Sequence, residues 1–525
     1  MAKRAGAWIL VIAVSLGALL LTAPPAPGPE DVPEDGFSVH RAFRHVEAIA
    51  TAPHPVGSEE NGRVARYLAD RLSEWGYVPE FQDAKTAPPD SIPLRNVLAY
   101  RPGTESTGII AVVAHHDSVP MGPGAADDAA AVGCMLEAAR VLSLREPLRN
   151  DVLFLFTDGE EAGLLGARAF VTNHPLAREV GLVLNFEARG TSGRSLMFQT
   201  STPNEWLISR YADASRPAAN SIMADVYRRM PNDTDFTVFD LAGVRGLNFA
   251  FLEGAGPYHT AADTPENLSK ASLGHHGRHL VEMLTSFGDT TLTVPPGGEV
   301  VYFDVLTRWL VVYPAGAAWP LAAFAVLLFA GLLFVARRER IATIRGVLGG
   351  ALTHLLAISA TTFVVWAVVK LLTPTLTARM AGPVRVTDLD TFLHGAFVAV
   401  MVGVAWFVGR FTVRRAGITA THLGALFVWL VLAVASAALL PGASFAFQVP
   451  LLFALIGAAW TLPFVERSPG TAALIVTVFA IPGLVLVVPL VREFLVALGI
   501  TGAFVVFPLF ALLPGLLLPL TVKQR

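Results

Sequence analysis

Hydrophobic positions divide the chain into two parts with different patterns. Before about residue 298, short apolar runs alternate with amphipathic segments, and after it apolar stretches of about 20 residues recur to the C-terminus. The short runs predict strands at residues 96–100, 109–114, 151–156, 182–186 and 247–251. Helical segments lie between them. This alternation predicts an α/β fold, with a mostly parallel sheet sandwiched by helices.

Two helices of this part carry signals of their own. Ser58 is a candidate N-cap for a helix over residues 59–72, whose apolar residues recur at helical spacing. A second helical segment, over residues 128–144, contains Cys134, the only cysteine. No internal disulfide is therefore possible, and this thiol is predicted to be buried and inert.

Apolar stretches long enough to cross a bilayer follow the first part. They lie near residues 316–336, 349–371, 391–408, 420–440, 445–465, 471–491 and 494–520. Prolines 482, 489, 508 and 514 could break the last two. An apolar run over residues 7–22 follows two basic residues and precedes several prolines rather than a cleavage site, which favours an uncleaved signal anchor.

These patterns predict four segments. They are an anchor at residues 1–23, a proline-rich linker at 24–37, a soluble domain at 38–298, and an all-α polytopic transmembrane domain of about seven helices at 299–525. The chain is 53% apolar and 15% charged, which is too apolar for an ordinary soluble protein. Its net charge of −3 gives no indication of a nucleic-acid partner. Because of the long apolar stretches, the lipid bilayer is the expected partner.

Basic residues near the predicted spans are unevenly distributed. Eight spans, counting the anchor, place both termini on one side, which holds Lys3, Arg4, Arg337, Arg338, Arg340, Arg345, Arg410, Arg414, Arg415, Arg467, Lys523 and Arg525. The opposite loops hold only Lys370, Arg379, Arg385 and Arg492. By the positive-inside rule, both termini are cytoplasmic and the soluble domain lies outside. Few basic residues are lysine, which is typical of a high-GC bacterial genome, so we expect a bacterial inner membrane with this domain on its periplasmic or extracellular side.

The predicted spans contain little that indicates transport. No acidic pair within them suggests an ion path. His354, His394 and His422 fall near predicted helix ends, where interfacial packing is the expected role. The tail is therefore predicted to be an anchor more than a transporter.

Carboxylate and imidazole side chains cluster mostly where the predicted strands end. The clusters contain His115, His116 and Asp117; Asp127 and Asp128; Asp158, Glu160 and Glu161; Asn185 and Glu187; and, much later, His259. The carboxyl ends of parallel strands meet in one crevice, so we expect these groups to converge. Carboxylates and imidazoles without thiolates suit zinc in an open, catalytic site. Separate surface acids are the alternative, which the repeated placement at strand ends disfavours.

Over about residues 53–268, these motifs resemble the co-catalytic di-zinc aminopeptidases, the relatives of bacterial leucyl aminopeptidase and glutamate carboxypeptidase. The order of a soluble domain and a polytopic tail resembles the membrane-bound branch of that family, such as vacuolar membrane protease and endoplasmic reticulum metallopeptidase. The resemblance implies two zinc ions per chain, with His115 and Glu187 on one, Glu161 and His259 on the other, and Asp127 bridging them. It also implies that Asp117 orients His115 and that Glu160 is the general base.

Two features depart from the family pattern or leave a choice. Glu187 stands where many relatives have Asp, and His116 stands where they often have Tyr or Leu; His116 is given no role. The segment 232–236 matches a pocket-lining stretch of the family, or else Asp235 caps a local turn.

The resemblance predicts a membrane-bound zinc aminopeptidase that cleaves peptide N-termini outside the cytoplasm. One alternative is a glutaminyl cyclase-like acyltransferase with a single zinc, and another is a catalytically silent receptor or scaffold. The complete ligand set favours the peptidase. The sequence does not indicate the natural peptide or the oligomeric state.

Overall fold

The computed structural model describes residues 2–86, 91–293, 297–379, 403–404, 410–465 and 467–517. The chain forms two compact units, one spanning Ala23–Val312 and the other combining Met1–Thr22 with Tyr313–Arg525. We call them the soluble unit and the membrane unit.

The soluble unit is built on a seven-stranded sheet. Its strands are β1 (Pro79–Lys85), β2 (Pro93–Arg101), β3 (Ile109–His115), β4 (Asp151–Thr157), β5 (Val180–Ala188), β6 (Leu196–Thr200) and β7 (Gly246–Phe251), in the order β1-β2-β4-β3-β5-β7-β6. The four central strands run parallel, and β2 and β6 run antiparallel to their neighbours. The predicted α/β fold with a mostly parallel sheet is confirmed.

Helices cover both faces of this sheet. They are α2 (Val39–Ile49), α3 (Glu59–Glu74), α4 (Ala129–Ser143), α5 (Leu165–Asn173), α6 (Glu205–Tyr211), α7 (Ser221–Tyr227), α8 (Asp235–Leu241) and α9 (Lys270–Gly288). Alternate residues of β3 enter different cores: Val112 packs with residues of α2, α4 and α9, whereas Val113 packs with residues of α5 and α8. Burial on both faces explains why the central strands are continuous apolar runs.

The predicted start of the first amphipathic helix is confirmed. Ser58 is the N-cap of α3, and its Oγ accepts a hydrogen bond from the Asn61 N–H at 3.1 Å. Asp128 is the N-cap residue of α4. The predicted burial of Cys134 is also confirmed, because it lies in α4 with its thiol 3.5 Å from the Leu273 carbonyl oxygen.

The soluble unit continues past Gly298, where the change in hydropathy predicts its end. A hairpin of β8 (Val300–Val305) and β9 (Trp309–Pro314) follows. Val300 and Tyr302 are buried in the same core as α4 and α9. This unit therefore ends at Val312.

The membrane unit is helical in its described residues. Its helices are α1 (Ala2–Leu21), α10 (Ala318–Arg338), α11 (Ile344–Arg379), α12 (Ile418–Leu439), α13 (Ser444–Thr461) and α14 (Pro469–Leu516). Within the described ranges, six helices are long and apolar enough to cross a membrane. Close packing requires glycine between α11 and α12, because a Cβ at Gly424 would lie 2.4 Å from the Val347 carbonyl oxygen.

Three predictions about the tail need comment. The predicted span at 391–408 and His394 fall almost wholly outside the described residues. The predicted division between residues 491 and 494 is wrong, because α14 runs through it and its helical geometry is interrupted instead at Gly499, where φ is 63°. Glycine adopts this backbone conformation readily, which explains the position of the break. His354 and His422 are buried in the unit, and their expected role in interfacial packing stays a prediction.

Candidate metal centre

The predicted site residues meet at the carboxyl ends of the parallel strands. His115 is the last residue of β3, and Glu187 lies near the end of β5. Glu160 and Glu161 lie in the loop that leaves β4, and Asp127 immediately precedes the N-cap of α4. His259 comes from the loop after β7, so five separate segments supply the site.

Five of these side chains form two groups that share one carboxylate. In the inner group, His115 Nε2 lies 3.2 Å from Asp127 Oδ1 and 3.7 Å from Glu187 Oε2. In the outer group, His259 Nε2 lies 3.1 Å from both Asp127 Oδ2 and Glu161 Oε2. Within each group, the ligand atoms all lie within 4.8 Å of one another, a spacing that could hold a metal ion.

The electrostatics of the site fit a bound cation. Burial raises the pKa of Glu187, and the neighbouring carboxylates raise it further. Burial opposes ionisation of Asp127, but the adjacent His115 and His259 rings lower the pKa of this carboxyl to about 2. Glu161 Oε1 is buried and has no hydrogen-bond partner among the described residues. The site brings nitrogen and oxygen donors together without a thiolate, and its carboxylates lack enough positive charge around them. A catalytic zinc centre requires this combination.

Asp117 holds the loop that carries the adjacent glutamates. Its two carboxylate oxygens accept hydrogen bonds from the main-chain N–H groups of Glu160, at 3.0 Å, and Glu161, at 3.3 Å. His115 Nδ1 lies 3.5 Å from the Asp117 carboxylate but 3.0 Å from the Asp117 carbonyl oxygen. The carbonyl is the better acceptor by distance and selects the His115 tautomer with its proton on Nδ1.

Glu160 lies beside the two groups and belongs to neither. Burial raises its pKa well above the ordinary range; the His115 field opposes this rise, and Glu187, Asp235 and Asp127 add to it. A carboxyl with a raised pKa next to a candidate metal centre has the properties of a general acid and base.

Asp263 is a buried residue of the site that no sequence motif indicates. Its Oδ1 accepts a hydrogen bond from the Ala126 N–H at 2.8 Å, and its Oδ2 accepts one from the Asp127 N–H at 3.2 Å. Burial raises the pKa of Asp263 to about 6. The only signal in the sequence is its position four residues after His259.

A row of buried amides also reaches the site, and we call it the amide row. Asn185 Nδ2 donates to Glu187 Oε1 at 3.3 Å and to Asn248 Oδ1 at 3.0 Å. Asn248 Nδ2 in turn donates to Gln199 Oε1 at 3.0 Å and to Thr234 Oγ1 at 2.9 Å. Asn185 is paired with Asn248, and Asn248 with Gln199, across β5, β7 and β6. The amide row fixes one oxygen of Glu187 and leaves the other facing His115.

Two further sequence predictions can be placed. Asp235 is fully buried at the start of α8 and accepts a hydrogen bond from the Thr157 hydroxyl, while Thr234 is the N-cap residue. The interpretation of Asp235 as a cap is therefore wrong. Burial raises its pKa to about 6. His116 Nε2 lies 3.0 Å from the Arg95 carbonyl oxygen, so His116 connects the end of β3 to β2.

Comparison with known proteins gives consistent matches to metallopeptidases and proteases. Residues 96–284 match the model of peptidase family M28. The chain is 35% identical over 227 residues to endoplasmic reticulum metallopeptidase 1 of Mus musculus, which covers 42% of this chain and 25% of that protein. It is 30% identical over 319 residues to vacuolar membrane protease of Eremothecium gossypii, and this match covers 56% of this chain and 31% of that protein. The match therefore spans between a quarter and a third of these relatives' length.

Solved structures are also similar to about half of this chain. An aminopeptidase from Aneurinibacillus sp. strain AM-1 superimposes with a TM-score of 0.41 and 16% sequence identity, covering 50% of this chain and 97% of that one.

Proposed function

We propose that this chain, which carries a domain of peptidase family M28, is a membrane-bound aminopeptidase that uses two zinc ions. The observation that carries the proposal is the pair of ligand groups that share Asp127. A shared carboxylate holds two cations close together, and a site built on one zinc has no need of it.

His115 and Glu187 would hold one zinc, and Glu161 and His259 the other, with Asp127 between them. When bound, two zinc ions supply an activated water and polarise the scissile carbonyl. Five protein ligands for two metals leave coordination positions open for water and substrate. The remaining chemistry belongs to side chains of this protein.

Glu160 is the proton carrier in this proposal. Its raised pKa suits it to take a proton from water and deliver it to the departing amine nitrogen. Asp117 contributes by fixing the main chain of Glu160 through the bond to its N–H. Such a transfer is typically worth about 10²- to 10⁴-fold in rate.

The open coordination positions of the two metals favour a peptide end over an interior bond. Asp127, Glu161 and Glu187 carry three negative charges, which two bound zinc ions would offset, so charge alone does not select an amine. A neutral α-amine has a lone pair that would ligate zinc, whereas the nitrogen of an interior peptide bond has none to offer. This difference is the physical reason to propose an aminopeptidase rather than an endopeptidase.

The sidedness of the protein is also a proposal. The distribution of basic residues places both termini in the cytoplasm and the soluble unit on the outer side of a bacterial inner membrane. Reporter fusions placed after Val312 and after Arg340 are expected to report opposite sides. Two cytoplasmic signals would contradict this topology.

The function is tested on the zinc-loaded full chain in detergent with a library of peptides. We expect peptides with a free N-terminus to lose their first residue, and their N-acetylated counterparts to remain intact. Cleavage of both sets at interior bonds would show that the protein is an endopeptidase and not an aminopeptidase. Cyclisation of N-terminal glutamine without hydrolysis would support the glutaminyl cyclase-like alternative.

A further inference from the structure

Arg189 lies directly beyond the metal centre on the strand that carries Glu187. The hydrogen bonding of β5 with β7 continues through it, because the Arg189 N–H donates to the Phe251 carbonyl oxygen at 3.1 Å. Side chains two residues apart in an extended strand share a face and are roughly 7 Å apart along the chain. Arg189 is therefore on the same face as Glu187, one step further towards the open end of the strand.

The backbone around Arg189 is firmly held. Gly190 follows it so close to the next segment that a Cβ there would lie 2.3 Å from the Glu253 carbonyl oxygen. Ser192 and Glu253 exchange two main-chain hydrogen bonds, each 2.9 Å long. Arg189 is thus presented by a fixed strand extension rather than by a long loop.

The Arg189 side chain makes no hydrogen bond or ion pair with any residue in the described part of the chain, and it is only partly buried. Arg194, five residues later, shows the opposite arrangement: its guanidinium bonds the buried Asp304 carboxylate at 2.8 Å. Arg194 therefore has a structural partner. Arg189 is a cation available to a ligand, next to a centre that is otherwise acidic.

Tyr227 responds to the charges of both Arg189 and the metal centre. Tyr227 packs edge-on against Phe198, with ring centroids 4.7 Å apart. The pKa of the Tyr227 phenol is raised by burial first and then by Glu187, Asp233 and Glu160, whereas Arg189 lowers it. The phenol is therefore within electrostatic range of both the site carboxylates and the arginine.

We propose that Arg189 binds a carboxylate of the substrate, so that the enzyme prefers short peptides carrying a carboxylate one or two residues after the amino terminus. The inference rests on the proposed aminopeptidase function and specifies its substrate class. An extended peptide advances about 3.3–3.6 Å per residue. The amine and the carboxylate of a dipeptide or tripeptide can therefore reach the metal centre and Arg189 at once.

The chemistry of the two ends supports this orientation. A neutral amine would ligate a zinc ion of the metal centre, and a guanidinium binds a carboxylate through two parallel hydrogen bonds. The carboxylate could be the C-terminus of a short peptide or an acidic side chain. A C-terminus and an acidic side chain offer the same carboxylate, so one arginine variant would affect both. The experiment therefore distinguishes these two sources by using different substrates.

Four substrates are compared on the zinc-loaded full chain: Leu-Ala as the free acid, Leu-Ala amide, Leu-Asp amide and Leu-Asn amide. If Arg189 binds the C-terminal carboxylate, the wild-type protein is expected to favour Leu-Ala over Leu-Ala amide. If Arg189 binds an acidic side chain, the protein is expected to favour Leu-Asp amide over Leu-Asn amide. Loss of a charged hydrogen bond typically costs 1.5–3 kcal/mol, so Arg189→Gln should lower kcat/KM for the favoured substrate by roughly 10- to 100-fold. The neutral amides should change little.

Four controls make the result specific. Arg189→Lys keeps the charge and should recover part of the loss, while Arg210→Gln removes an arginine from α6, away from the strand ends, and should have no effect. Zinc content should be the same in all variants. Calorimetry with a dipeptide whose peptide bond is reduced, as acid and as amide, should show the same preference in binding alone.

The proposal and the underlying function fail in different ways. If the wild-type protein cleaves all four substrates equally, or if Arg189→Gln slows the neutral and acidic substrates alike, Arg189 is not a carboxylate anchor although the aminopeptidase stands. If no substrate is cleaved and the reduced dipeptides do not bind, both are overturned.

Discussion

The inner and outer groups share Asp127 but hold their other ligands differently. His115 and Glu187 of the inner group sit on parallel strands of the sheet, and their side chains are 1% and 7% exposed. His259 of the outer group sits on a loop, is 40% exposed and has a φ of 58°, a conformation that costs a non-glycine residue about 1 kcal/mol. The comparison teaches that the sheet defines one metal position and a loop completes the other. We therefore expect the inner zinc to be held more tightly.

Removing the shared ligand should have the largest effect, because it damages both groups at once. Asp127→Ala is expected to leave less than one zinc per chain and to reduce peptidase activity to background. Zinc analysis and peptide hydrolysis measure the two losses. Asp213→Asn, an exposed acid of the soluble unit, serves as the matched control and should behave like wild type. Retention of both zincs in Asp127→Ala would show that this carboxylate is not shared.

Separating the two adjacent glutamates should give the next largest effect. Glu161→Ala removes a ligand of the outer group only, so it should lower both the zinc content and the rate. Glu160→Gln removes only a proton acceptor, so it should keep both zincs while kcat falls by about 10²- to 10⁴-fold.

The measurement is kcat together with zinc content for each variant. Near-normal turnover by Glu160→Gln would remove Glu160 from the mechanism and leave the metal groups untouched.

Disrupting the amide row should affect the inner group alone. Asn248→Leu removes the acceptor that holds Asn185, which in turn fixes Glu187 Oε1. Partners of metal ligands typically contribute about 10- to 100-fold in affinity, so zinc binding at the inner group should weaken by that factor while the outer group is unchanged. Competition with a chelator measures both affinities.

Gln82→Leu, which removes an amide from β1 at the other edge of the sheet, is the control for general loosening. Equal weakening of both zinc sites by Asn248→Leu would mean that the amide row supports the fold rather than one ligand.

The parts of the fold that the sequence predicted are those with a strong local signal. Central strands buried on both faces are continuous apolar runs, and their ends are marked by His115 and Glu187. The edge strand β1 was missed because its residues, Pro79–Lys85, are largely polar and exposed. Edge strands satisfy one row of hydrogen bonds and need little apolar surface, so their sequences carry a weaker pattern.

The parts of the site that escaped prediction act through main-chain or amide hydrogen bonds. Asp263 binds backbone N–H groups, and Asn248 binds amides on neighbouring strands. Neither contact follows from residue type or spacing, because each depends on the strand register and on how a distant loop returns. The tail shows the same limit, since four prolines marked candidate breaks in α14 and Gly499 is where the helix is interrupted.

Zinc content of the full-length protein, followed during slow removal by a chelator, tests the central claim most directly. The account predicts two zincs per chain that leave in two phases, with the outer zinc leaving first and the inner zinc persisting. His259→Ala should abolish the first phase and leave the second unchanged. A single zinc that leaves in one phase, with or without His259, would contradict a centre built on two groups that share Asp127.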